Sequence, residues 1–384
     1  MKKIGVITIC KCNNYGAELQ AFATYRILTL LGYDAEIIDY IYYKTWNFKD
    51  SNKSRPLVSM ELKGRLLYMV KYRLINALVD KILPLIRGNV RKRKCRFLDF
   101  HKYNSRFSRP FYSMDELYKN PPIYDVYMTG SDQVWNPAAS SSIEPYFLTF
   151  APEGKKKIAY AASFGGSKIP DNLKETYEKW LKTYDSIGVR EEVGVTLVKY
   201  LSGKEVTWVV DPTLLLDKHQ WLPFMKSYEG ISSDYVLIYQ LLPSDTLQNL
   251  ALKVAQCNQC KVYYLAKRAW GVKVAKGIEV IYDAGPAEYL SLIKNACSVV
   301  TNSFHGTAFS INFGTPFYTV LKQNRGGNAR LTSLLNQVGL ADHIVYEGDS
   351  LDKCCNCSFD VSESAVRLEE LRRNSLSYLK RAVE

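Results

Sequence analysis

The chain has 384 residues, of which 47% are hydrophobic and 23% charged; this balance excludes a disordered polymer and suits soluble globular domains. A length of this order points to two domains rather than one core, and no stretch approaches the roughly 18 apolar residues a membrane-spanning helix needs. The net charge of +13 is concentrated: between Ser51 and Pro110 there are 16 Lys/Arg against Glu61, Asp80 and Asp99, so one insert carries the whole excess.

The elements alternate between β and α. Lys3 to Ile9 is apolar and β-rich, too short and too soon polar for a secretion signal, and reads as a first strand of a cytoplasmic protein. The polar turn Lys11 to Gly16 follows, then a helical pattern from Ala17 to Leu31 (Leu19, Phe22, Ala23, Ile27, Leu30) stopped by Gly32. A second strand at Ala35–Tyr40 completes a βαβ unit and implies a parallel sheet. Further strands are predicted at Tyr124–Met128, Lys157–Ala161, Ser186–Val189 and Val206–Val210. A second series is predicted at Tyr235–Gln240, Val262–Leu265, Ile278–Ile281, Cys297–Thr301 and Phe317–Leu321. Pro212 and Pro223 mark the stretch from Asp211 to Gly230 as a linker.

The expected organisation is an α/β fold of two Rossmann-like domains with parallel sheets facing across a cleft. Residues 1–217 form the first domain with a basic helical insert at about 51–110, residues 218–350 the second, and 351–384 a C-terminal helical segment. The last helix spans Ser362 to Glu384. Within the insert, Leu62, Leu66, Val70 and Leu74 recur at helical spacing, but Lys63 and Arg73 fall on nearly the same face. Arg91 to Arg96, beside Phe97, Leu98 and Phe100, suits an anionic membrane surface. A solvated arm or an oligomer contact is the competing reading. No aromatic-basic module for nucleic acid accompanies it.

Nine cysteines in such a chain read as reduced thiols rather than a disulfide framework. Cys257 and Cys260, and the group Cys354, Cys355 and Cys357, lie nearly 100 residues apart and do not make the paired spacing of a zinc site, so no metal is expected.

Five constellations are candidates for chemistry. The sharpest is Cys297 to Ile311: an apolar strand ends at Thr301, a polar turn follows, and a helix starts near Gly306. Strand ends beside helix N-termini bind anions in open parallel sheets. Gly306 would let a ligand approach the backbone, Ser303 and Thr307 would add hydroxyls, and His305 would exchange protons beside the anion. Arg190, ending the apolar run Ser186–Val189, would grip a carboxylate or phosphate in two parallel hydrogen bonds, or pair with Glu191 or Glu192. Gly130, Ser131, Asp132, Gln133, Trp135 and Asn136 resemble a carbohydrate-binding set, with Gly130 making a tight turn and the indole stacking on a sugar; a turn beside a core Trp is the alternative. Asn13, Asn14, Tyr15 and Glu18 lie at the end of the first strand. Arg325 and Arg330 flank Gly326 and Gly327 in a polar loop. No GxxxxGK[ST] loop, GxGxxG fingerprint or GxSxG elbow is present.

Taken together, NNYGAELQA (13–21), GSDQVWNP (130–137), YAASFG (160–165), GVREE (188–192), VDPTLLL (210–216) and NSFHGTAFSI (302–311) resemble the polysaccharide pyruvyl transferase family over about residues 1–340. The resemblance implies a fold like that of the GT-B glycosyltransferases, phosphoenolpyruvate as donor, and a pyruvate ketal on a sugar as product, in capsular or exopolysaccharide assembly. It places the general acid on His305 and the donor-gripping arginine on Arg190. Some members carry Arg two residues before the His, where this chain has Ser303; Arg325, Arg330 or Lys322 would then supply that cation. Asn13, Asn14, Tyr15, Glu18, Ser131, Asp132, Gln133 and Trp135 would face the acceptor, with Asp132 or Glu18 as base. No cofactor is implied. The acceptor is expected to be a galactose-type sugar, free or polyprenyl-diphosphate-linked, the linked form at the inner face of the cytoplasmic membrane. A nucleotide-sugar glycosyltransferase or a non-catalytic glycan-binding assembly protein would share these features.

Overall fold

The computed structural model describes residues 1–49, 67, 70–138, 143–268, 270–323, 326–351 and 362–384. Arg325, the cluster Cys354, Cys355 and Cys357, and the insert's Leu62 and Leu66 lie outside the described residues. The chain divides into two compact units: one of residues 1–86, 101–215 and 372–384, the other of residues 87–100 and 216–371.

The first unit is built on a six-stranded parallel sheet of β1 (Lys3–Ile7), β2 (Asp34–Ile37), β3 (Val126–Thr129), β4 (Lys156–Ala162), β5 (Ser186–Val189) and β6 (Val206–Trp208). Its order is β2-β1-β3-β4-β5-β6. Central strands are buried on both faces, so β3 reads VYMT without alternation, as parallel sheets require. Helix α1 (Tyr15–Leu30) follows β1, with Asn14 Oδ1 accepting the Gly16 and Ala17 amides as its cap. Helix α2 (Gly88–Asn104) carries the basic run, and its residues up to Phe100 belong to the second unit. Helices α3 (Asp171–Leu181) and α4 (Glu192–Ser202) follow β4 and β5. The core is aromatic: Trp135 stacks on Phe147 at 5.1 Å between ring centres and meets Phe164 and Tyr184.

The second unit repeats the plan with β7 (Tyr235–Tyr239), β8 (Lys261–Leu265), β9 (Ile278–Ile281), β10 (Ser298–Thr301), β11 (Phe317–Leu321) and β12 (Ile344–Tyr346). All six are parallel, in the order β12-β11-β10-β7-β8-β9. Helices α5 (Asp245–Cys257), α6 (Pro286–Lys294), α7 (Phe304–Phe313) and α8 (Ala329–Val338) connect them, and α9 (Ser362–Val383) is the last element. From Arg372 onward α9 belongs to the first unit, where Tyr378 donates to the Ala159 carbonyl at 2.8 Å.

The division between the two units falls in the stretch expected as a linker, at Leu215/Leu216; Pro212 there opens a short helix, Pro212–Leu215, whose residues are all buried, because proline suits the first helical turn. Two expectations change. Strand β12 went unpredicted; at three residues it is too short to show a pattern. Cys257 is disulfide-bonded rather than a reduced thiol. Among the described residues no helix is long and apolar enough to cross a membrane.

Candidate active site

Both sheets have a topological switch point, the place where successive strands start to be added on the other side, and ligands of open α/β sheets bind at the carboxyl ends beside it. In the second unit the switch lies between β7 and β10. Asn302, directly after β10, spans it: its Oδ1 accepts the Leu241 and Leu242 amides at 2.8 and 3.3 Å, and its Nδ2 donates to the Leu242 carbonyl at 2.8 Å. Thr301 Oγ1 donates to the Tyr239 carbonyl at 2.6 Å and accepts the Ser303 amide at 3.0 Å.

Ser303 caps α7, its Oγ accepting the Gly306 amide at 3.3 Å. His305 therefore stands in the first helical turn at the carboxyl end of an interior strand, where the helix dipole is positive. The residue is 8% exposed and its ring meets Phe304 edge-on at 5.3 Å.

Two roles expected around it are corrected. A Cβ on Gly306 would lie 2.5 Å from Thr301 Oγ1, so the missing side chain lets α7 close on β10 rather than admitting a ligand. Thr307 is fully buried and its hydroxyl pairs with Thr319 at 2.8 Å, which takes it out of a donor site. Arg330 starts α8 half-buried. Lys322 Nζ lies 3.9 Å from Glu347.

In the first unit the switch lies between β1 and β3, and Thr8 Oγ1 crosses it to the Ser131 carbonyl at 2.8 Å. Gly130 is not needed for a left-handed turn; a Cβ there would meet Thr8 Cβ at 2.9 Å, so it too serves close approach. Ser131 Oγ donates to Asp211 Oδ2 at 2.9 Å, and Arg190 Nη1 donates to the same oxygen at 2.7 Å. Asp211 Oδ1 accepts from the Thr213 amide and hydroxyl at 2.9 and 2.7 Å. Arg190 Nε lies 3.6 Å from Glu191 and Nη2 lies 3.9 Å from Asp132. Burial works against its charge, but Asp211, then Glu191 and Asp132, raise the guanidinium above its ordinary value. Ser163 Oγ donates to Glu191. These residues stand at or just beyond the ends of β3, β4, β5 and β6. Lys11, Asn13, Asp132 and Ala161, all non-glycine residues with positive φ, gather along the same edge, the kind of clustering found at functional sites.

Glu18 closes the edge beside β1. Fully buried, it accepts the Lys11, Cys12 and Asn13 amides at 2.8, 2.8 and 3.1 Å, and His101 Nε2 lies 2.6 Å from its Oε2. Burial raises its pKa, but His101 and the two amides of Lys11 and Cys12 outweigh that and hold it below the usual carboxylate value. Lys11 Nζ pairs with Asp39 at 2.6 Å at the end of β2.

A model of the family described as polysaccharide pyruvyl transferase matches residues 14–321. The chain belongs to this family. Among solved structures, Arabidopsis thaliana UGT89C1 complexed with UDP is similar at 13% identity and a TM-score of 0.51, covering 100% of this chain and 99% of that one. UDP-GlcNAc 2-epimerase from Methanocaldococcus jannaschii is similar at 13% identity and a TM-score of 0.46, over 96% and 92% of the two chains. At these identities the likeness is one of fold: two α/β domains of the GT-B kind. No curated protein matches the chain.

The family's motifs gather on two sheet edges. Ser131, Asp132 and Arg190 come together in the first unit, while Ser303, His305 and Gly306 share the α7 turn of the second. Trp135 is a correction: it is fully buried, its indole N–H donating to the Tyr146 carbonyl at 3.2 Å, so it packs the core and stacks on no sugar. Glu18 is another, since four donors already surround its carboxylate and leave no oxygen for an acceptor hydroxyl. Tyr15 is fully buried and Asn14 is the α1 cap, while Gln133 accepts from Asn136 Nδ2 at 2.7 Å. Glu191 stands near Arg190 as one reading of the sequence had it, whereas Asp211, Ser163 and His101 were given no role from the sequence. An Asp-Pro-Thr directly after a strand was the available signal for Asp211.

Proposed function

We propose that the chain transfers a pyruvyl group from phosphoenolpyruvate to a sugar, closing a ketal across two hydroxyls during capsular or exopolysaccharide assembly. The carrying observation is His305 in the first turn of α7, at the carboxyl end of β10 beside the switch point, in a chain whose family match runs through this turn. In this reading His305 protonates the methylene carbon of phosphoenolpyruvate, making its central carbon electrophilic. A sugar hydroxyl adds to that carbon, its proton passing to a base, and inorganic phosphate leaves. A second hydroxyl then closes the ketal.

Ser303 fixes where the histidine stands by capping the helix, and the positive end of α7 favours the donor's phosphate or carboxylate. Arg330 and Lys322 are the described cations proposed for the remaining donor charge. Arg190 enters the proposal as a side chain already engaged by Asp211; a direct grip on the donor would require it to exchange that partner. Asp132 and Asn13 are retained as acceptor contacts, and a galactose-type sugar on a polyprenyl diphosphate is the proposed acceptor.

The test is donor consumption. The full chain is incubated with labelled phosphoenolpyruvate or labelled UDP-sugars against a panel of free and lipid-linked galactosides. Release of phosphate with transfer of label from phosphoenolpyruvate supports the proposal. Consumption of a UDP-sugar instead would replace it with glycosyl transfer, and glycan binding with no donor consumed would make the protein a binding component.

A further inference from the structure

Between Val70 and Ile86 the first unit carries a helical segment that exposes most of its large aliphatic side chains. It consists of two wide-turn helical stretches, Val70–Ile75 and Leu78–Ile82, running into a short helix, Leu83–Ile86. Three of its polar side chains turn inward, while Pro84 is buried beside them. Arg73 Nη1 donates to the Tyr43 and Thr45 carbonyls at 3.0 and 2.8 Å. Asn76 Nδ2 donates to the Lys44 carbonyl at 2.6 Å, and Asp80 Oδ2 accepts from the Trp46 indole at 2.8 Å. Arg73, Asn76 and Asp80 all reach the stretch from Tyr43 to Trp46, which places them on one side of the segment. Arg73 is thus turned inward while Leu74 is exposed.

The outward face is aliphatic. Leu74, Ile75, Leu78, Ile82, Leu85 and Ile86 are each between 49% and 79% exposed. An ordinary surface helix has the opposite polarity, and contiguous exposed apolar stripes of this kind mark interaction surfaces. The charges that accompany the stripe select its partner. From Val70 to Ile86 the exposed charged residues are Lys71 and Lys81, both positive, while the one acid, Asp80, is turned to Trp46. A second copy of the chain would bring basic residue against basic residue. An anionic lipid surface accepts both features at once: aliphatic side chains enter the acyl boundary while lysines and arginines meet headgroup phosphates.

We infer that the segment from Val70 to Ile86 is an in-plane docking element for an anionic bilayer surface. It requires no assumption about the reaction, so its test is separate from donor consumption.

The full chain is sedimented with phosphatidylcholine vesicles, with and without phosphatidylglycerol, at low salt. Wild type is expected to pellet with the anionic vesicles. The triple variant Leu74→Gln, Leu78→Gln, Ile82→Gln is expected to lose about tenfold or more in partitioning, and Lys71→Gln with Lys81→Gln about tenfold. Because all three aliphatic positions are exposed, circular dichroism should be unchanged. Equal pelleting with neutral and anionic vesicles, or undiminished pelleting of the triple variant, would overturn the inference. So would light scattering that finds a wild-type dimer which the triple variant converts to monomer, since the stripe would then bind a second copy.

Discussion

Arg190 Nη1 and Asp211 Oδ2 meet at 2.7 Å with side chains 1% and 0% exposed, tying the end of β5 to the residue just past β6. Such a pair contributes little net stability relative to an apolar replacement, yet breaking it is costly because one charge stays buried. The two halves are not equivalent. Without Asp211, the guanidinium still has Glu191 at 3.6 Å and Asp132 at 3.9 Å; without Arg190, three carboxylates are left facing one another. Arg190→Met should therefore destabilise more than Asp211→Leu, with single losses of about 3–5 kcal/mol. The double variant should lose less than their sum. Urea unfolding of the four proteins measures this; additive losses would show that the two residues do not act as a pair.

Glu18 gives the fold a pH dependence of known sign. Its folded pKa is lowered, so it contributes stability that is present above the unfolded-state value of about 4.3 and lost as pH falls through the folded value. Glu18→Gln should lower stability at pH 7, since one amide oxygen cannot serve the same set of donors. It should also flatten the decline below about pH 4.3. Thermal midpoints of both proteins across the acid range test the assignment, and parallel profiles would refute it.

Gly306→Ala tests the approach of α7 to β10. The added methyl would fall 2.5 Å from Thr301 Oγ1 and 3.1 Å from its Cβ. Thr301 is fully buried and its hydroxyl is held by Tyr239 and Ser303, so it has little room to yield. Overpacking of this kind costs about 1–3 kcal/mol. Thr301→Ala in the same chain removes the nearest atom and should restore part of the alanine variant's loss, visible as a negative coupling in a double-mutant cycle.

How far all this was legible in the sequence depends on the kind of residue. Strands β5 and β11 were read with their observed bounds, because interior parallel strands are buried on both faces and read as largely apolar runs. What a side chain faces is not written in its type. Trp135 and Glu18 sit in motifs rich in polar residues, and the sequence suggested a sugar platform and an open carboxylate. The fold instead surrounds one with Phe147, Phe164 and Tyr184 and the other with three amides and His101. Asp211 was hidden by Pro212, which reads as loop punctuation although it opens a buried helical turn. The partnership of Glu18 with His101 joins positions more than eighty residues apart, and no spacing rule reaches that far.

The proposed acid is the final point open to direct measurement. His305→Gln keeps a polar side chain of similar length that cannot donate a proton to carbon. Phosphate release from phosphoenolpyruvate with a competent acceptor should fall by about 10²–10⁴, the usual contribution of one positioned acid. The thermal midpoint should stay close to wild type. Ser303→Ala is the companion variant: it removes the cap that holds the turn, costing about 1 kcal/mol, and should reduce turnover less than loss of the histidine. Undiminished turnover in the His305 variant would move the acid elsewhere. Equal loss in both variants, with α7 destabilised in each, would mean that the turn matters for its shape rather than for the imidazole.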